Sequence, residues 1–147
     1  MSNGDGSHPA VLISNRRSIS VDEEGLTALA VQTLAAEGFT DAIELSIAFV
    51  DEAEMAGLHV RYMHEEGPTD VLSFPLDEVD DRGVRLLGDV IIAPAVAARN
   101  NPSDPAREIR LLVVHGILHV LGYDHEEDAE RAEMWARQER YSGVRVP

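Results

Sequence analysis

One stretch near the end of the chain constrains the fold more than any other. Between Pro105 and Leu121, the residues Ile109, Leu111, Leu112, Val113, Val114, Ile117, Leu118, Val120 and Leu121 leave almost no polar stripe. A helix that is apolar on every side is a buried one, so this segment is expected at the centre, with strands and other helices packed around it. Ser103 or Asp104, followed by Pro105 at the first helical position, starts it, and Gly122 ends it. Two histidines, His115 and His119, sit inside this apolar run. Four residues is one turn, so both imidazoles stack on one face. Burying two unpaired polar rings is costly, and the helix must gain something from them.

His125 completes the pattern. Gly122 supplies the left-handed residue that turns the chain sharply, and His125 follows three positions later, near enough to swing back to the same point. The spacing is H-x-x-x-H-x-x-G-x-x-H. A single helical histidine reads as a core residue bonded to a backbone carbonyl; three at this spacing, two on an otherwise apolar face, point to a metal. Three imidazoles with a fourth position left for water is the arrangement of a catalytic zinc site, whereas a structural site supplies a fourth protein ligand. Nickel, cobalt or copper would accept the same ligands. His8, His59 and His64 lack this context and read as surface residues. The spacing matches that of metzincin proteases, whose first histidine is followed by a glutamate acting as general base. Here that position is Gly116, which demotes peptide hydrolysis and instead opens room for a backbone or a bulky ligand.

The remaining elements are short. Val11 to Ser14 reads as a strand. Ser20, with Glu23 three residues on, opens a helix that runs to Gly38. Ala42 to Val50 alternates apolar and polar residues, a strand with one buried face. Asp51 and Glu54 repeat the capping signal for a helix ending near His64, before Gly67-Pro68. Val71, Leu72 and Phe74 form a short strand closed by Pro75, Asp77 to Gly83 a solvated turn, Leu86 to Ile92 a fourth strand, and Pro94 to Arg99 a short helix. The last helix, about Asp128 to Arg140, turns Ala132, Met134 and Trp135 inward; Glu126, Glu127 and Asp128 form its acidic, solvated start.

A chain of 147 residues is one ordinary domain; all of 1–147 is read as a single metal-dependent hydrolase domain, with 1–9 a disordered lead-in. The absence of cysteine excludes thiol catalysis, cysteine-ligated zinc and disulfides, and makes the cytoplasm the default location. Met1 to Pro9 has neither the basic nor the apolar region of a secretion signal. No apolar run approaches the roughly 20 residues of a membrane span.

The blocks HGILHVLGYDH (His115 to His125), PTDVLSFP (Pro68 to Pro75) and LGDVII (Leu87 to Ile92) together resemble the YbeY family of bacterial ribosomal RNA maturation factors, single-strand-specific endoribonucleases with a zincin-like site. The likeness extends from about Val11 to Tyr141. It implies an α/β domain: a small, mostly parallel four-stranded sheet with helices around a buried central helix. It also implies a zinc-type ion on His115, His119 and His125, action at the 3′ end of 16S ribosomal RNA, a part in ribosome quality control, and the small ribosomal subunit, a ribosomal protein or an assembly GTPase as partners. Many members carry an arginine implicated in RNA cleavage near the end of the second helix. The corresponding position here is Met63, which also reads as core filler beside Leu58 and Met55. Arg61 is two residues earlier and faces elsewhere.

Around the histidines, Asp70 sits in a turn where a short acid commonly bonds the local backbone, and equally at the edge of a cleft. Ser73 is read as lining that cleft. Asp124 is placed to orient a ligand imidazole. Water on a triply coordinated zinc has a pKa near about 7, so it could attack a phosphodiester, or take the proton from a ribose 2′-hydroxyl that attacks its own phosphate. Against RNA binding stands charge: 27 acidic residues face 12 basic ones, all arginine, for a net −15. A chain so acidic gains little from counterion release. Arg99, Arg107 and Arg110 could line one rim of the cleft, or could only balance nearby acids. The expectation is a shallow salt dependence and help from a docking partner. Two other readings stand beside the nuclease: a non-catalytic assembly factor in which the metal only pins the C-terminal half, and a zinc peptidase.

Overall fold

A computed structural model describes residues 9–63, 69–123 and 127–144. The elements follow in the order β1 (Ala10–Ser14), α1 (Glu23–Ala36), β2 (Ile43–Phe49), α2 (Glu52–Met63), β3 (Val71–Val79), β4 (Arg85–Ile92), α3 (Pro94–Asn100), α4 (Pro105–Val120) and α5 (Asp128–Ser142). The four strands lie in the order β1-β2-β4-β3. β1, β2 and β4 run parallel, and β3 pairs antiparallel with β4 at the edge. This is the expected α/β fold with a mostly parallel sheet.

Alternation along the strands divides the interior. Leu45, Ile47, Phe49, Val90 and Ile92 join Leu29, Leu34, Val113, Val114 and Ile117 in the larger core, under α1 and α4. Leu72 with Val50, Met55, Ala93 and Val96 forms a second core. Successive strand residues point to opposite faces, so Val71 and Ser73 turn toward α4 while Leu72 turns away. On α4, Ile109, Leu112, Val113, Val114, Gly116, Ile117, Leu118 and Val120 are buried. Only one line stays partly open among its last ten residues: Leu111, His115 and His119. These are spaced i, i+4, i+8, and the two histidines therefore share the one accessible stripe of the central helix.

Several boundaries differ from the sequence reading. α1 is capped by Asp22, whose side chain accepts from the Gly25 amide at 3.0 Å, rather than by Ser20; a carboxylate two residues closer takes the orphan amide first. Asp104, not Ser103, caps α4 by accepting from the Arg107 amide at 3.1 Å. Pro75 does not close β3, which continues to Val79. An edge strand has a ladder partner on one side only and tolerates proline, and here the pairing shifts register between Pro75 and Glu78. The turn shrinks to Asp80–Val84, where Asp80 accepts from the Arg82 and Val84 amides. On α5, Met134, Gln138 and Ser142 face inward, while Ala132 is exposed and Trp135 is 50% exposed. The inward face follows Met134 by fours, and polar Gln138 is drawn onto it by a contact described below. Among the described residues no helix is long and apolar enough to cross a membrane.

Candidate active site

His115 and His119 meet edge to face, with ring centroids 4.5 Å apart and planes at 76°. Each ring is held at Nδ1. For His119 the partner is the main-chain carbonyl of Tyr123, at 3.0 Å. A carbonyl only accepts, so the proton sits on Nδ1 and the lone pair on Nε2. For His115 the partner is Oε1 of Gln138, at 2.6 Å, and the same tautomer follows. An imidazole whose Nδ1–H is tied to an oxygen presents Nε2 in fixed orientation, the usual second layer around a metal-binding histidine. The donor chemistry fits a zinc-type ion.

The turn after α4 produces the His119 contact. Gly122 has φ +106°, its amide donates to the His119 carbonyl at 3.0 Å, and the Tyr123 amide donates to that of Leu118 at 3.0 Å. This paired closure is the glycine-dependent end of a helix. It brings the Tyr123 carbonyl back toward the last turn, within hydrogen-bond reach of His119 Nδ1. Tyr123 is anchored in turn, for its hydroxyl donates to Glu37 at 2.7 Å. Glu37 also accepts from Arg137 at 2.6 Å and from the Tyr141 hydroxyl, with its side chain only 6% exposed. Burial pushes the Glu37 carboxyl up, but the hydrogen bonds from Tyr141, Tyr123 and Arg137 together outweigh it and leave the group below its ordinary value. Burial, then the bond to Glu37, pushes the Tyr123 hydroxyl up to about 12.

α4 also packs against β3. The Ser73 hydroxyl donates to the Gly116 carbonyl at 3.1 Å, which fastens the strand to α4. Gly116 is required by contact rather than by φ: a Cβ there would lie 2.5 Å from Cγ1 of Val90 and 3.4 Å from Oγ of Ser73. The room that glycine leaves after His115 is thus taken by the sheet, not by a ligand. Asp70 accepts from the Asn100 amide nitrogen at 3.1 Å, and its carbonyl accepts from the Ala93 amide. It also stands near Glu108, whose carboxyl is raised by burial and then by Asp70's charge.

The three arginines are dispersed. Arg99 makes a two-point pair with Glu52, one contact at 2.9 Å. Arg110 donates to the Ser142 carbonyl at 3.1 Å and lines a separate cavity of about 270 Å³ with Val21, Leu26 and Ile109. Arg107 is exposed, two turns before His115, or about 12 Å along the helix axis. His125, Asp124, His8, His64 and the side chain of Met63 lie outside the described residues, as do Gly67 and Pro68. Among the described residues no three His, Cys, Asp or Glu side chains converge as a metal site; His115 and His119 supply two imidazoles.

Sequence reasoning passed over Gln138, Tyr123 and Glu37. Gln138 had only a weak signal, an amide four residues after Met134 in a helix whose inward face the sequence leaves open. Glu37 had none, since its partners are 86 to 104 residues away.

The chain matches a family model described as Endoribonuclease YbeY over residues 12–143. A relative from Acidothermus cellulolyticus, named Endoribonuclease YbeY, is 50% identical over 142 residues, covering 87% of this chain and 86% of its own. Proteins of the same name from Frankia alni and Streptomyces coelicolor are 48% and 40% identical, covering 89% and 86% of this chain and 80% and 84% of theirs. The solution structure of TM1509 from Thermotoga maritima superposes with a TM-score of 0.63 at 31% identity, over 90% of this chain and 86% of that one.

Proposed function

Because the chain belongs to the YbeY family, we propose that it is a metal-dependent, single-strand-specific endoribonuclease acting in maturation of the 16S ribosomal RNA 3′ end and in ribosome quality control, in the cytoplasm. The observation that carries the metal reading is that His115 and His119 are each held at Nδ1 by an oxygen, Oε1 of Gln138 and the Tyr123 carbonyl, which leaves Nε2 of both rings as the donor atom. His115, His119 and His125 would hold the ion. When bound, a zinc-type ion supplies a Lewis acid for phosphoryl oxygens and acidifies water.

The chain's own residues do the rest. Gln138 and the Tyr123 carbonyl fix the two rings, so their donor atoms need no reorganisation on binding. Ser73 fastens β3 to α4 beside His115. Arg99, Arg107 and Arg110 remain candidate contacts to RNA away from the histidines, and the small ribosomal subunit, with a ribosomal protein or an assembly GTPase, would supply the docking that a −15 chain does not find in phosphate attraction alone. Attack by a ribose 2′-hydroxyl leaves a cyclic phosphate end; its absence after brief digestion would point to attack by water.

The test compares purified wild type with His119→Ala on a ribosomal RNA precursor, alongside elemental analysis of untagged protein. Near-stoichiometric zinc and cleavage in the wild type, both lost in the variant, support the proposal. Equal cleavage by both proteins assigns the activity to contamination and favours the second reading, a non-catalytic assembly factor, which the acidic surface also suits.

A further inference from the structure

The helix that carries His115 and His119, α4, packs against β3 and against α5, and α5 carries the chain's only tryptophan. Gln138 reaches His115 from α5. On the same helix, Arg137 and Tyr141 reach Glu37 at the end of α1. Stepping back three residues from Gln138 rotates about 60° to the side opposite Arg137 and Tyr141. Trp135 therefore stands on the rim away from α1, one turn from Gln138, over the side of α4 that exposes Leu111, His115 and His119. It is 50% exposed, and it is the one aromatic among the exposed large apolar side chains of the described residues.

We propose that Trp135 is a stacking platform for one unpaired nucleobase of the RNA substrate, beside the histidine pair. The inference rests on the endoribonuclease reading. Its physical basis is what a chain of net charge −15 has left to bind RNA with. On its own flank of α5, Trp135 is accompanied by Asp128 and Glu139 and by Arg131, which pairs with Asp128, so this flank carries no net positive charge to draw in a phosphate backbone. A base presents an uncharged face, and stacking on indole needs no cation. Every base has such a face, so the contact is indifferent to sequence. Bases inside a duplex are already stacked, so it selects unpaired RNA. Affinity gained this way is also insensitive to salt, unlike counterion release.

The experiment uses the full chain with zinc, a short single-stranded RNA and the same sequence as a duplex. Trp135 fluorescence reports the contact directly. The expected result is quenching by the single strand and little change with the duplex. Trp135→Ala weakens binding and raises KM on the order of ten- to hundred-fold with kcat nearly unchanged, and Trp135→Tyr restores most of the affinity. Replacing the stacked base by an abasic sugar costs the wild type the same factor and costs Trp135→Ala nothing more. A folded Trp135→Ala that binds and cleaves like the wild type, or equal quenching by both RNAs, overturns the proposal. A wild type that cleaves no RNA overturns the endoribonuclease reading instead.

Discussion

At Gln138 a neutral amide does what a carboxylate often does beside a metal-binding imidazole. It is buried at 5% exposure, and its oxygen holds Nδ1 of His115 at 2.6 Å. Replacing it with leucine keeps the volume and removes the acceptor, and partners of this kind typically govern metal affinity by about 10- to 100-fold. Zinc competition against a chromophoric chelator is expected to show a loss of that size for Gln138→Leu, and recovery for Gln138→Glu. An unchanged zinc affinity in Gln138→Leu would mean the amide does not orient the ligand. Gly116 makes a different demand. Alanine there puts a carbon 2.5 Å from a methyl of Val90, itself fully buried, and such overpacking costs about 1–3 kcal/mol. Thermal melting of Gly116→Ala is expected to show that loss, and Val90→Ala in the same chain to relieve part of it.

The central helix is an element whose two ends differ in kind. Its start is local: Pro105 presets the first turn and Asp104 caps it. Asp104→Ala is expected to cost about 1 kcal/mol and Ser103→Ala nearly nothing, since only the former leaves a helix amide unpaired; a denaturant midpoint unmoved in both would remove Asp104 from the role. Its end serves the proposed metal site, because the closure at Gly122 delivers the Tyr123 carbonyl to His119. This much was legible in the spacing of glycine and histidines. The inward face of α5 was not. Its pattern is mostly polar, with Met134 as its one large buried apolar residue, so Trp135 and Ala132 looked as suitable for burial as Gln138. Only the position of His115 on the neighbouring helix decides which face turns in. β3 is similar: Pro75 reads as a terminator unless the strand is known to be an edge.

Across the whole molecule, Glu37 ties the end of α1 to α5 and to the turn after α4 through Arg137, Tyr141 and Tyr123. Its carboxyl is depressed in the folded chain. A depressed carboxyl contributes stability that is present above its unfolded value and lost as pH falls through the folded one. Stability is therefore expected to decline on acidification below about 4.5, with a weaker decline in Glu37→Gln. Tyr123 has the opposite sign. Its hydroxyl is raised to about 12 from 10, so its contribution is intact below pH 10 and lost between 10 and about 12. Tyr123→Phe should flatten that alkaline limb in pH-dependent unfolding. Charge acts at this scale too, and log–log plots of RNA affinity against salt are expected to be shallow. What the sequence determined by itself was everything carried by short-range rules: the four strands, the buried helix, its proline start and glycine end, and the histidine pair that one helical turn must bring together. The tertiary structure alone decided which groups hold those histidines and which side chains are left on the rim. Gln138 and Glu37 act across 23 and 86 residues of intervening chain, and contacts at that separation follow from how helices pack, which no local pattern of residues encodes.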